Sequence, residues 1–246
     1  MESRSKPGSL TPDPTSAKPV KWVPWALVGL PVGLMIGLVI ALWIYFEKKE
    51  REAVRTHSHA RALQREPNTP DLDRHLHILR EADAAAPEVR RETLRSYLES
   101  TLGPSNMGYQ VTEDRHTAGG GERANLSIEL PGTKAPREIV IVLAEYGAPP
   151  SAARPEQIAS FLALAQAVTG SPRVKTIRFL ALDASPGTDD AKQRLARALD
   201  TATASGHRIA LVLKLGDLLA EAGPSAPLLE CTQAALRALQ LAADRL

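Results

Sequence analysis

The stretch "WVPWALVGLPVGLMIGLVIALWIYF", Trp22 to Phe46, carries no charged residue, and that excludes most ways of folding this part of the chain. At 1.5 Å per helical residue, 25 residues reach about 37 Å, enough to cross a hydrocarbon core of roughly 30 Å. Trp22 and Trp25 stand at one end and Trp43 and Tyr45 at the other, as interfacial aromatic anchors do. Pro24 and Pro31 lie in the first half, where a membrane helix tolerates them. A cleaved leader has a shorter apolar core and a small-residue cleavage site, which "ALWIYFEKK" does not offer. The reading predicts one transmembrane helix over 22–46, and with it a membrane location and the lipid bilayer as a partner. Residues 1–21 hold Pro7, Pro12, Pro14 and Pro19 among Ser, Thr and Lys and read as a disordered tail. Arg4, Lys6, Lys18 and Lys21 flank one side of the span, and Lys48, Lys49, Arg51, Arg55, Arg61 and Arg65 the other. The second group leans toward a cytoplasmic C-terminus, while the first resists translocation, so the side of the membrane stays open.

Beyond the span the chain reads as globular. Residues 47–87 form a charged juxtamembrane helical region, in which Leu72, Leu76 and Leu79 begin an amphipathic stripe. The folded domain is placed at 88–246. A helix follows Pro87, with Val89, Leu94, Tyr97, Leu98 and Leu102, and stops at Gly103-Pro104. "YQVTED" from Tyr109 and "ANLSIELPG" from Ala124, joined through "GGGER", read as an antiparallel pair. From Ile139 the rhythm becomes strand, helix, strand, helix. "EIVIVLAEY", "TIRFLALD" and "RIALVLKL" are buried strands, and Ile158 to Val168 and Leu229 to Leu246 are helical stripes. The fold class is therefore α/β: a mixed, mostly parallel sheet with helices on both faces, preceded by the single transmembrane helix.

Composition narrows the chemistry. Lys and Arg total 30 against 28 Asp and Glu, and aromatics are 4%. That balance lacks the basic stripe and the stacking platforms of a nucleic-acid partner. Cys231 is the only cysteine, read as a small core residue, so no internal disulfide forms. In open α/β sheets ligands bind beyond the carboxyl ends of the strands. The carboxylates that fall there are Glu145, Asp183 and Asp217, a conceivable oxygen-only site for a hard cation. His57, His59, His75, His77, His116 and His207 all precede the sheet, lie in loops or sit at the opposite strand ends, and read as solvated surface. No phosphate-binding loop and no nucleophile elbow occurs. Asn125-Leu126-Ser127 matches a glycosylation sequon but falls inside a strand.

Taken in order, "LRSYLESTLGPSNMGYQV", "ANLSIELPG", "REIVIVLAEYGA", "IASFLALAQAV" and "KTIRFLALDASP" resemble the start of the family-28 metallopeptidases, the di-zinc aminopeptidases. The resemblance covers roughly 88–219. It implies an α/β sandwich around a mixed sheet, and it implies where the metal ligands of a working member would stand. The position of the zinc-binding His is Glu145, and that of the Asp two residues on is Gly147. The bridging Asp falls near Ala153, the Glu-Glu pair at Ser185 and Pro186, and a further Asp at Gly216, with Asp217 one residue along. The last His belongs to a segment that the matched stretch does not include. A two-metal hydrolase needs those ligands and a base to activate water. The resemblance therefore implies a degenerate former site at Glu145, Gly147, Ala153, Ser185, Pro186 and Gly216, with no catalytic or metal residue and no cofactor. The function expected is binding or complex assembly with a protein or peptide partner. A metal-dependent hydrolase with an altered site around Glu145, Asp183 and Asp217 is the alternative, and an unrelated α/β domain is a third.

Replacing Leu34 and Ile40 together with Arg should block membrane integration, since each central Arg costs about 2.5–3.5 kcal/mol on insertion. Alkaline extraction of membranes reads the outcome, and an unchanged membrane fraction would refute the span.

Overall fold

The computed structural model describes residues 35–38, 40–43, 61–118, 121–147, 155–184, 191–204, 206–223 and 226–245. Of the predicted span, residues 35–38 and 40–43 are helical, with Met35, Ile36, Leu38, Ile40, Leu42 and Trp43 all exposed. The rest of the span, the 1–21 tail, and His57 and His59 lie outside the described residues. Among the described residues no helix is long and apolar enough to cross a membrane.

The folded unit is built from six helices and five strands among the described residues: α1 (Thr69–Asp83), α2 (Pro87–Leu102), β1 (Thr112–Ala118), β2 (Gly121–Leu130), β3 (Ala135–Tyr146), α3 (Pro155–Val168), β4 (Lys175–Asp183), α4 (Ala191–Ala204), β5 (Arg208–Lys214), α5 (Leu215–Ala222) and α6 (Leu228–Asp244). The sheet runs in the order β1-β2-β4-β3-β5. β3 lies parallel to both β4 and β5, while β2 is antiparallel to β4 and to β1. The sheet is mixed as expected, but parallel and antiparallel pairings are equal in number. Only β2 runs against the other four strands.

The buried run Ile139 to Ala144 holds β3 between its two parallel neighbours. Both of its faces must be covered, because residues alternate between them. Val140, Val142 and Ala144 join the larger core, under α3 and its neighbouring helices. Ile139, Ile141 and Leu143 join Leu180 and Leu182 in a smaller cluster, covered by Leu195 and Leu199 of α4. Helices thus occupy both faces. α3 is the middle of the larger layer, in contact with α1, α2, α5, α6 and β3. That explains why its burial goes beyond the predicted stripe to Ala159, Ala163 and Leu164: a helix apolar all round is enclosed all round. Phe161 meets Phe179 of β4 edge to face, with centroids 5.4 Å apart.

Several expectations shift. α1 starts where Asn68 Oδ1 accepts from Asp71 N at 2.9 Å, a side-chain N-cap followed by Pro70 in the first turn. Its Leu72, Leu76, Leu79 and Ala82 belong to the same core as α2, so the packed unit begins before residue 88. Tyr109 does not open β1. Its hydroxyl donates to the Ala165 carbonyl at 2.7 Å and accepts from Thr169 at 2.9 Å, fixing the connection against α3. Gly121, Glu122 and Arg123 belong to β2 and not to a linker, because Ala118 already pairs with Gly121. His116 lies in β1, not in a loop, and Cys231 is half-buried on α6. Gly132 lies against the backbone at Lys175, where an added Cβ would come within 2.5 Å of a carbonyl carbon.

The clearest correction is His75. It is 2% exposed, on the inward stripe of α1, with Nδ1 2.6 Å from the Tyr97 hydroxyl. An i, i+2 partner points away on a helix, and His77 is exposed accordingly. Burial first, and the Arg74 guanidinium second, hold the His75 imidazole down at about 4, with Asp71 opposing them. The folded protein thus keeps His75 neutral in a range where the unfolded chain protonates it. Stability contributed at neutral pH should be lost as pH falls from 6.5 toward about 4, by on the order of 3 kcal/mol at the lower end. Arg65, Arg74, Asp71, Tyr97 and Thr101 surround the group, so the comparison is with His75→Gln. Urea unfolding between pH 7 and pH 4 should show a steeper loss in the parent than in the variant; parallel profiles would contradict it.

Candidate functional site

Because β3, β4 and β5 run parallel, their carboxyl ends share one edge of the sheet. β3 delivers Glu145, Tyr146 and Gly147 there. Gly147 has φ 75°, a left-handed conformation that suits glycine, and it turns the chain off the strand. Alternation then sorts the side chains. Glu145 shares a face with Leu143 and pairs with Leu182, on the side covered by α4. Tyr146 pairs with Asp183 on the opposite side, the face of the larger core.

On the α4 side lies a cleft of about 250 Å³. Leu143, Leu182 and Leu195 form its apolar floor, and Glu145, Gln157, Lys214, Gly216 and Asp217 border it. Gln157, in the first turn of α3, donates from Nε2 to the Glu145 carbonyl at 3.0 Å. Gly216 is packed so closely that an added Cβ would lie 3.2 Å from Gln157 Oε1. Lys214 Nζ and Asp217 Oδ2 are 3.9 Å apart across the start of α5, with the Asp217 side chain largely in water and that of Lys214 half-buried. Such a pair contributes little to stability and leaves both charges available.

On the other side everything is enclosed. The Tyr146 hydroxyl donates to the Ala124 carbonyl, and Ala184 N donates to the Tyr146 carbonyl at 2.7 Å. Burial pushes the Tyr146 phenol above its ordinary range, and the charge of Asp183 adds to it, so Tyr146 stays a protonated donor. Asn125 Oδ1 accepts from Asp183 N at 3.2 Å, and both residues are buried. A glycan acceptor would not be held in that way.

Of the expected positions, Glu145 and Gly216 come together at the cleft and Gly147 follows on the same turn. Ala153, Ser185 and Pro186 lie outside the described residues. The three-carboxylate cation site is not formed. Glu145 and Asp217 border the cleft, but Asp183 projects from the opposite face of the sheet, and the ammonium of Lys214 occupies the same lining. None of the described histidines borders the cleft. Among the described residues no three His, Cys, Asp or Glu side chains are grouped so as to hold a metal ion.

Gln157 and Lys214 were not singled out from sequence. Their signal was positional: Gln157 opens the helix after β3, and Lys214 closes β5, so both had to emerge at this edge.

No protein-family model matches the chain, and no curated protein matches it in sequence. Among solved structures it is similar to a protein assigned as a zinc-dependent exopeptidase from Bacteroides vulgatus, at 10% identity and a TM-score of 0.47, over 61% of each chain. It is also similar to the glutaminyl cyclase of Fimbriiglobus ruber, at 14% identity and a TM-score of 0.40, over 58% of this chain and 60% of that one. A zinc-dependent exopeptidase from Parabacteroides distasonis matches at 13% identity and a TM-score of 0.38, over 52% of this chain and 50% of that one. The chain thus spans between 50% and 61% of the length of these structures.

Gln157→Leu keeps the volume near Gly216 but removes the amide that donates to the Glu145 carbonyl and buries a leucine in its place. It should cost about 1–3 kcal/mol in chemical denaturation. A loss below a few tenths of a kcal/mol would mean that the amide does not order this edge.

Proposed function

We propose that this chain is a membrane-anchored, peptidase-like α/β domain that does not hydrolyse peptides and acts by holding a protein or peptide partner. The observation that carries the reading is the lining of the carboxyl-edge cleft. It offers two acids, an amide and an amine over an apolar floor, and among the described residues no imidazole. The segments that continue from β3 and β4, residues 148–154 and 185–190, bring no His or Cys either, and only Asp189 and Asp190 as acids. Activating water for peptide hydrolysis takes a metal held by several ligands, or a positioned base beside a nucleophile. Neither set is supported by these residues. The degenerate-site reading of Glu145, Gly147, Ala153, Ser185, Pro186 and Gly216 follows from the same point.

A cleft of about 250 Å³ suits a chain terminus or one or two side chains of a peptide, with residues of both charge signs, Glu145, Asp217 and Lys214, on its border. Anchoring is supported by the apolar run and by the exposed apolar side chains on its helical part. Recruitment to a bilayer then confines the partner to the membrane surface.

The test is turnover and binding with the full-length chain in detergent micelles. Peptides with free amino termini should not be cleaved, with or without added zinc or manganese. Lys214→Glu should weaken binding of acidic peptides about tenfold, the loss of one charge-assisted contact. Metal-dependent cleavage that disappears in Glu145→Gln would instead establish the altered-site hydrolase.

A further inference from the structure

At the amino edge of the sheet, where β3, β4 and β5 begin, the charge is of one sign. Lys134 and Arg137 stand at the start of β3, Arg173 and Lys175 at the start of β4, and Arg208 opens β5. Register holds them together. Ala135 pairs with Lys175 and Glu138 with Arg208, and Lys134 N donates to the Val174 carbonyl at 3.2 Å. α6 ends at the same place, because Arg173 Nη1 donates to Asp244 at 2.8 Å, and Arg245 follows.

The acids at this edge are outnumbered. Glu138 is shared between Lys175, at 3.3 Å, and Arg208, and Asp244 is taken by Arg173. Lys134, Arg137 and Arg245 are exposed, and no carboxylate pairs with any of them among the described residues. Six bases thus exceed two acids by four, or by three when Asp200 of α4 is counted. The whole chain has an excess of only two. Positive charge is therefore gathered here and not spread over the surface.

The segment that follows the charge-free run joins the folded unit at this same edge. α3 starts beyond the carboxyl end of β3 and leads into β4, so its last turn lies at the amino edge. There Gln64 Nε2 donates to the Ala167 carbonyl at 2.8 Å. Only residues 47–60 separate Phe46 from Arg61, and even fully extended they span no more than about 50 Å. Near the end of α6, Leu241 is 56% exposed beside Arg237, Gln240, Asp244 and Arg245. An apolar side chain among bases suits the boundary between lipid headgroups and acyl chains.

We propose that the amino edge docks on a bilayer surface rich in anionic headgroups. The inference rests on the membrane-anchored reading above and adds to it a contact made by the folded unit itself. Each base close to an anionic leaflet is attracted to it, and salt screens the attraction. Docking in this way turns the cleft at Glu145, at the opposite ends of the same strands, toward solution, where a partner reaches it.

The test uses the full-length chain reconstituted into vesicles of phosphatidylcholine, alone or mixed with an equal part of phosphatidylglycerol. Lysine acylation, read by mass spectrometry, compares Lys134 on the amino edge with Lys214 on the carboxyl edge. Lys134 should react about fivefold more slowly on the anionic vesicles, the factor for the attraction of one base, while Lys214 is unchanged. Sodium chloride at about 1 M, where the screening length falls to about 3 Å, should erase the difference. So should Arg137→Glu combined with Arg245→Glu, both exposed changes. Equal reactivity of Lys134 on the two vesicles overturns the proposal, as does a difference that survives salt or the double variant. Equal protection by soluble polyglutamate overturns the bilayer in favour of an acidic protein. Alkaline extraction of the same vesicles reads the anchor separately. Protein retained in both, with Lys134 equally reactive, means a span without docking and refutes the inference. Protein released from both by alkali, yet floating with the anionic vesicles alone at low salt, means docking without a span and supports it.

Discussion

The parallel pairing of β3 with both β4 and β5 is the constraint on which everything else in the folded unit depends. It places a continuous apolar run where neither face meets water, which obliges helices to cover both sides. α3 covers one side so fully that it needs α1, α2, α5 and α6 around it. α4 covers the other with Leu195 and Leu199. The same pairing brings three carboxyl strand ends to one edge, and the cleft at Glu145 is a consequence of that geometry alone.

Strand alternation then decides what the edge can do. Glu145 and Asp183 stand one pairing step apart on adjacent strands, yet they serve opposite faces. Glu145 meets an open cleft with Lys214 and Asp217, while Asp183 is enclosed beside Tyr146 and Asn125. Here the two sides have separate tasks: one holds the sheet end together, and the other presents a small surface of mixed charge.

Much of this was legible in the chain, for identifiable reasons. Ile139 to Ala144, Thr176 to Asp183 and Arg208 to Leu215 announced parallel strands because apolar runs of that length, alternating with helical stripes, have few other uses. Glu145 was legible as an edge residue because it ends such a run. That Asp183 parts from Glu145 and Asp217 is not legible, because the face each acid takes depends on strand register. His75 reads as surface in the sequence because a histidine within a charged segment gives no sign of burial; only the Leu72–Leu76–Leu79 stripe, extended by one position, includes it. Tyr109 looked like a strand residue because aromatics favour strands, but its hydroxyl found the end of α3 first. Gln157 and Lys214 became visible only once the strand order put the start of α3 and the end of β5 side by side.

The central claim is the proposal that the carboxyl-edge cleft, bordered by no histidine among the described residues, holds no metallopeptidase centre. Metal content tests it most directly. Full-length protein purified from zinc-supplied cells, dialysed against metal-free buffer and examined by elemental analysis, should carry far less than one zinc per chain. Glu145→Ala should leave that value unchanged. One or two equivalents of tightly held zinc per chain, lost in Glu145→Ala, would contradict the account.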